Sequence, residues 1–275
     1  MARQNKKSET VFSLCVVSDS ELLNGLGIIL VSNISDATIR FGKKRDPLDP
    51  LSQHDEQHNK PAGWGLPGGG VKSEDFEGPA ESVATELGEE TGLKRMAGTQ
   101  VSQVSEWRRI GVINEKTRAI ERRSVFFKKG SRPSFGISER EMRGKETIEN
   151  AVYIFKVNPA WENSELQSRM QKVRAQLLEW GPENDGATED DVAEYGVWFF
   201  FDEISSEAVG ALGIEGIDEI DGIGIFPISL FIEGMTAKYF PVKIYASHFK
   251  YVQDGLQKLG LIPKTEAVAT QEAAV

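Results

Sequence analysis

Between Gly63 and Leu93 the chain reads Gly63-Trp64-Gly65-Leu66-Pro67-Gly68-Gly69-Gly70-Val71, then Pro79, then Glu86-Leu87-Gly88-Glu89-Glu90-Thr91-Gly92-Leu93. Three successive glycines allow φ > 0 and let backbone approach a ligand closely. Pro79 fits the first position of a helix, where its missing N–H is harmless. Ala80, Val83, Ala84 and Leu87 then follow i, i+3, i+4, i+7, an apolar stripe that packs on a core. Gly92 suits the left-handed residue that ends a helix. On such a helix Glu86 and Glu90 lie i,i+4 and Glu89 lies i+3 from Glu86, so all three crowd one face. Like charges at that spacing cost a few tenths of a kcal/mol per pair. A hard divalent cation removes the repulsion, and oxygen-only ligands suit Mg2+ or Mn2+. The expectation is a glycine loop feeding a helix whose carboxylates face a cleft.

The remainder of the chain sets the frame. At 275 residues it has ample length for a substantial core. With 32 basic and 42 acidic residues the net charge is −10, which argues against general affinity for nucleic acid or an anionic membrane. The single cysteine, Cys15, lies in the apolar run from Val11 to Val17, so no disulfide framework is expected and a cytoplasmic home fits. Met1 to Thr10 is polar and lacks the apolar core of a signal peptide. The longest apolar run, Ile223 to Ile232, is too short to span a bilayer, so a soluble protein is expected.

Val11 to Val17, Gly27 to Ser32, Val101 to Ile113, Ala119 to Phe127 and Thr147 to Val157 read as strands, with a further candidate at Ala37 to Lys44. Asp46 to Ala62, with three prolines, reads as a loop. Ser164 to Trp180 has helical spacing at Leu166, Met170, Val173, Leu177 and Leu178. Val192 to Phe201 reads as a strand and Ile204 to Leu212 as a short helix. Tyr245, Phe249, Val252, Leu256 and Leu259 mark an amphipathic final helix. The organisation expected is a disordered N-terminus (1–10), a single domain (11–262) with insertions near 131–146 and 160–191, and a disordered tail (263–275).

The loop and helix resemble the signature of the Nudix hydrolase family, G-x5-E-x7-R-E-U-x-E-E-x-G-U with U aliphatic. Glu77, Glu86, Leu87, Glu89, Glu90, Gly92 and Leu93 fall in register with one another, and the Trp64-x-Leu66-Pro67-Gly68-Gly69 lead-in looks like that family's approach strand. The spacing from Gly69 to Glu77 is two residues longer than the pattern, and Thr85 stands where the pattern has arginine. The resemblance implies an α/β fold, a Nudix-type α/β/α sandwich with a mixed sheet, here with loop and helical insertions. It also implies metal-dependent hydrolysis of a phosphoanhydride bond in a nucleoside diphosphate linked to another moiety. Glu86, Glu89, Glu90 and Gly69 are then the candidate metal site, and Glu89 and Glu86 the candidate catalytic residues. The ion is Mg2+ or Mn2+, the partner is a small-molecule nucleotide, and an oligomer is compatible with the pattern. A non-catalytic Nudix-like module that binds nucleotide or RNA is the rival reading, motivated by Thr85 and the longer loop.

Other clusters add candidates. Trp107 to Lys145 holds twelve Lys or Arg against four Glu, and Arg108, Arg109, Arg122 and Arg123 alternate with apolar residues. They are candidate phosphate-binding residues, weighed against a solvated strand face. The resemblance also implies a further glutamate, ahead of a strand such as that carrying Trp198, as general base or extra metal ligand; Glu189 and Glu194 are the candidates, weighed against a solvated acidic loop. His54 and His58 stand i,i+4, but in a proline-flanked polar loop that argues against zinc. Lys94 to Arg132 contains neither proline nor tyrosine, the residues by which the family it resembles marks particular nucleotide substrates.

Overall fold

The computed structural model describes residues 6–19, 23, 25–34, 63–71, 78–93, 101–113, 120–128, 147–157, 163–180, 186–232 and 234–264. The strand candidate at 37–44, the histidines at 54 and 58, Glu77, the insertion near 131–146 and most of the C-terminal tail lie outside these residues.

Eight strands form one mixed sheet: β1 (Lys6–Asp19), β2 (Gly25–Asn33), β3 (Gly63–Gly65), β4 (Val101–Ile113), β5 (Ile120–Lys128), β6 (Thr147–Val157), β7 (Val197–Phe200) and β8 (Ile220–Pro227). Seven of them run in the order β5-β4-β6-β1-β2-β8-β7, and β3 pairs with β2 off that path. The β1/β6 pair is parallel and the other pairs are antiparallel. The helices are α1 (Pro79–Thr91), α2 (Ser164–Trp180), α3 (Glu189–Tyr195), α4 (Ser206–Ala211) and α5 (Ala246–Lys258).

Alternation along the central strands sorts the core into layers. On β2, Ile28 and Leu30 join Phe12, Leu14, Val152, Ile154 and the α5 residues Phe249, Val252 and Leu256. Their neighbours Ile29 and Val31 point the other way, joining Leu87 of α1 and Leu166, Met170 and Val173 of α2. Both faces of the sheet are therefore covered by helices, as expected of an α/β/α sandwich. Cys15 is buried in the second cluster, and burial pushes its thiol up to about 12, so it behaves as a small hydrophobe.

Two local readings are corrected. The first strand begins at Lys6, inside the stretch expected to be disordered. Lys6 to Thr10 pairs in register with Ile148 to Val152, so an otherwise exposed edge of β6 supplies its partner. Second, Val192 to Phe201 is not one strand: Glu189–Tyr195 is helical and only Val197–Phe200 is extended. Thr188 accepts the Asp191 N–H and Asp191 reaches back to the Thr188 N–H, a capping box. Hydrogen bonds from the Thr188 side chain and backbone hold the Asp191 carboxyl below the usual range. Gly196, at φ 94°, then breaks the helix into β7. The apolar run from Ile223 enters strand β8, which ends at Pro227 before a single 3-10 turn at Ile228–Phe231.

The end of α1 is locked to the rest of the fold. Gly92 has φ 67°, its N–H donates to the Gly88 carbonyl, and a Cβ there would collide with the Leu212 carbonyl oxygen. Asn163 Nδ2 donates to both the Thr91 and Leu212 carbonyls, at 3.3 and 3.0 Å. Gly92→Ala is therefore expected to cost about 2–4 kcal/mol, combining left-handed strain with overpacking. Urea denaturation of the two proteins measures it, and a loss below 0.5 kcal/mol, the range of ordinary surface changes, would contradict this account.

Candidate functional site

The segment from Gly63 to Val71 crosses between two strands that splay apart. β1 pairs with β2 only through Val16–Asp19, while β3 occupies the far end of β2, pairing Gly65 with Val31 and Gly63 with Asn33. Past β3 the chain turns onto β1. Ser13 N–H donates to Pro67 O (2.8 Å), Val11 N–H to Gly69 O (2.9 Å) and Val71 N–H to Glu9 O (3.0 Å). This crossing requires glycine. Gly68 has φ 143°, and a Cβ on it would strike the Val11 carbonyl.

The crossing brings the loop against α1. Gly68 N–H donates to Glu90 Oε2 at 2.7 Å, and Glu90 is buried at 6% exposure. A Cβ on Gly69 would lie 2.6–2.8 Å from the Glu86 carboxylate, so that carboxylate rests over the bare Cα of Gly69. The apolar stripe works as expected, with Val83 and Leu87 fully buried. Thr85 is exposed on the opposite side.

The third wall of the site comes from the loop before β8. The Glu215 and Gly216 N–H groups both donate to the Glu89 carbonyl, at 2.8 and 2.9 Å. Together these segments enclose a cleft of ≈ 660 Å³, lined by Gly69, Gly70, Val71, Glu86, Glu89, Glu90, Glu215, Gly216, Asp218 and Glu219. Six of the ten are carboxylates and none is basic. An anion such as a phosphate meets only like charge there unless cations enter with it.

The donor chemistry fits a hard divalent ion, being wholly oxygen. The present rotamers do not close a cage: among the described residues no three His, Cys, Asp or Glu groups converge on one ion position. Glu90 is turned to Gly68 and the Gly69 carbonyl accepts the Val11 N–H. Glu86 and Glu89, both half-buried, are the carboxylates of α1 that must reorient to bind.

The sequence-derived candidates divide accordingly. Glu86, Glu89, Glu90 and Gly69 come together in the cleft. Glu189 and Glu194 do not. Glu189 is 68% exposed on α3 and pairs with Arg174, while Glu194 is exposed and hydrogen-bonds to the Tyr195 hydroxyl, raising the tyrosine's pKa. Neither lines the acidic cleft, nor the second cavity of ≈ 650 Å³ between α2, α3 and β7. The acidic stretch before Trp198 forms a capped helix that holds both side chains toward solvent. The carboxylates that take the far wall are Glu215, Asp218 and Glu219. Their signal was present in the sequence as acids interspersed with glycine (Gly213-Ile214-Glu215-Gly216-Ile217-Asp218-Glu219) just before an apolar run.

Arg108 lies on β4, half-buried, with Nη2 3.0 Å from Glu106 Oε1. It neighbours Tyr153, whose pKa is raised by burial first and then by the charge and hydrogen bond of Glu9. Arg108 does not line the cleft. Arg109 pairs with Asn150 across β4/β6, and Arg122 and Arg123 pair with Val112 and Gly111 across β4/β5; their side chains lie outside the described residues.

No protein-family model and no curated protein sequence matches the chain. Among solved structures, it is similar to the Nudix domain of Shewanella oneidensis NrtR complexed with ADP ribose, at 11% identity over 93% of this chain and 90% of that one, TM-score 0.34. Shewanella oneidensis NrtR complexed with a 27mer DNA gives 11% identity, coverage of 91% and 61%, and TM-score 0.34. A MutT/nudix family protein from Enterococcus faecalis gives 18% identity, coverage of 57% and 39%, and TM-score 0.28. The chain thus spans less than two thirds of the length of the latter two. Superpositions this loose assign neither fold nor activity, and the fold rests on the strand pairing above. No helix among the described residues is long and apolar enough to cross a membrane.

The geometry separates two glutamates that the sequence treats alike. Relief of crowding alone would make loss of either charge harmless to the metal-free fold. Glu90→Ala, however, leaves the Gly68 N–H without its acceptor and is expected to cost about 1–3 kcal/mol. Glu89→Gln, which disturbs no hydrogen bond of the loop, should leave metal-free stability level or slightly higher. Paired denaturation curves in chelator decide this; equal losses in both variants would refute the distinction.

Proposed function

We propose that the chain is a hydrolase of phosphoanhydride bonds in nucleoside diphosphates linked to a further moiety, working with Mg2+ or Mn2+ held by Glu86, Glu89 and Glu90. The observation that supports this most is the cleft itself: six carboxylates, no basic residue among the described ones that line it, and a glycine loop along one rim. A cleft of that charge holds a diphosphate only with cations between them. When bound, such ions neutralise phosphate oxygens and lower the pKa of a coordinated water.

The chain's own residues have distinct tasks. Gly69 and Gly70 carry no side chain at the rim, so a diphosphate can lie against backbone. Glu90 holds the loop through Gly68, and Glu86 sits above Gly69. Glu89 accepts the proton of an attacking water, with Glu215, Asp218 and Glu219 facing it as further candidates from the opposite wall. Its backbone is fixed by the two N–H groups on its carbonyl, which limits motion of the acceptor. Magnesium is preferred on availability, although manganese satisfies the same oxygens.

Release of phosphate from a panel of nucleoside-diphosphate derivatives, read by a phosphatase-coupled assay with Mg2+ or Mn2+, tests the proposal. Turnover is expected with at least one substrate, and Glu89→Gln should lower it by about 100-fold or more. Glu189→Gln and Glu194→Gln should leave it unchanged. Silence across the panel with both ions, alongside measurable nucleotide binding, would replace the hydrolase by a non-catalytic binding module.

A further inference from the structure

The glycine loop is held by one more contact, from a residue 182 positions away. Leu66 N–H donates to His248 Nδ1 at 2.8 Å, from the first turn of α5 on the opposite layer of the sandwich. The approach is close because residue 65 has no side chain: a Cβ there would lie 2.6 Å from that same nitrogen. The imidazole is itself held among rings, with centroids 4.4 Å from Phe12, 5.3 Å from Tyr245 and 5.7 Å from Tyr251. A nitrogen that accepts an amide N–H carries no proton of its own, so the ring is held with Nδ1 bare.

We propose that His248 is a positioning residue for the acidic cleft, a role that rests on the reading of that cleft as a cation site. Leu66 is 1% exposed, so water does not replace the imidazole as partner for its N–H. Two residues further on, Gly68 presents its N–H to Glu90, and between them Pro67 accepts from Ser13. The turn from β3 onto β1 is thus fixed at Leu66 by α5, at Pro67 by β1 and at Gly68 by α1. Loss of the first anchor lets the turn relax about Leu66, moving the Gly68 N–H and with it the carboxylate of Glu90. His248 does not line the cleft; it acts through two peptide units. The sheet's far layer is in this way coupled to the metal-binding face.

The test compares His248→Asn, whose Oδ1 falls where Nδ1 stood, with His248→Gln, whose oxygen falls where Nε2 stood, and with His248→Leu, which has no acceptor. Two readouts are taken on the full chain: Mn2+ affinity, from the electron paramagnetic resonance signal of free ion, and hydrogen exchange of the Leu66 and Gly68 amides. His248→Leu and His248→Gln are expected to weaken Mn2+ binding by about tenfold, the low end of what removal of an outer partner costs a metal site. Their Leu66 and Gly68 amides should exchange faster, while His248→Asn stays near the wild type in both readouts. Equal losses in the Asn and Leu variants would overturn the proposal, since all that matters would then be ring packing. Unchanged Leu66 and Gly68 exchange in every variant would overturn it as well. Should the wild type bind no Mn2+, the cation reading fails on its own account; the amide exchange of the Asn and Gln variants then decides the positioning role. If His248→Leu does not fold, that same Asn and Gln pair decides it.

Discussion

The hydrogen bond from the Gly68 N–H to the Glu90 carboxylate is the joint on which the site depends. Glu90 is buried, and a buried carboxylate without partners is costly enough that it would protonate or expose itself. A backbone N–H in a turn answers it at 2.7 Å, a charge-assisted bond. The bond forms only because Gly68 adopts a backbone conformation closed to other residues and because β1 and β2 splay far enough to admit the crossing chain. Sheet topology, glycine placement and a charged side chain therefore determine one another. Removing any of them separates the loop from the helix.

Burial on both faces gives this joint its rigidity. The residues of β2 alternate between the α5 layer and the α1/α2 layer, so the strand cannot slip by one position without reversing both cores. The crossing segment inherits that register through the pairs Gly65/Val31 and Gly63/Asn33. Trp64, between those glycines, is fully buried against Phe226 and Phe200, with ring centroids 5.3 and 5.8 Å away. The flanking glycines are what allow Tyr245 and His248 to pack onto the same stretch. A single bulky anchor between two bare positions thus fixes the loop's approach, and the polar contacts then refine it.

Much of this was legible in the chain because it is local. The stripe Ala80, Val83, Ala84, Leu87 and the stop at Gly92 specify α1 with its acidic face, and period-2 runs specify β1, β2, β4, β5 and β6. Where structure departs from the sequence pattern, the deciding contact is in some places distant and in one place local. Lys6 to Thr10 is polar and becomes a strand because β6 offers its edge, a partner 140 residues away. The stretch Val192 to Phe201 looked like one strand because its apolar content outweighed a capping box at Thr188 and Asp191 that decides the matter locally. Glu189 and Glu194 are near Trp198 in sequence but not in the cleft, whereas the loop carrying Glu215, Asp218 and Glu219 is held there by the Glu215 and Gly216 N–H groups on the Glu89 carbonyl, a contact that no spacing rule announces. His248 was invisible for the same reason.

The electrostatics of α1 explain why the opposite wall must be bound so firmly. Three of its four carboxylates, Glu86, Glu89 and Glu90, sit in the last two turns of the helix, at the negative end of the macrodipole, and its last turn has no basic residue to offset them. The loop carrying Glu215, Asp218 and Glu219 adds three more negative groups to the same cleft. Left to electrostatics the two walls repel, and neutral hydrogen bonds oppose this: two backbone N–H groups on the Glu89 carbonyl, and the Asn163 side-chain amide joining Thr91 to Leu212. The N–H donors also satisfy a carbonyl at the helix terminus that would otherwise lack an intrahelical partner. The cleft is thus kept closed by neutral hydrogen bonds against its own charge. That concentration of like charge is the property that makes a divalent cation its natural complement.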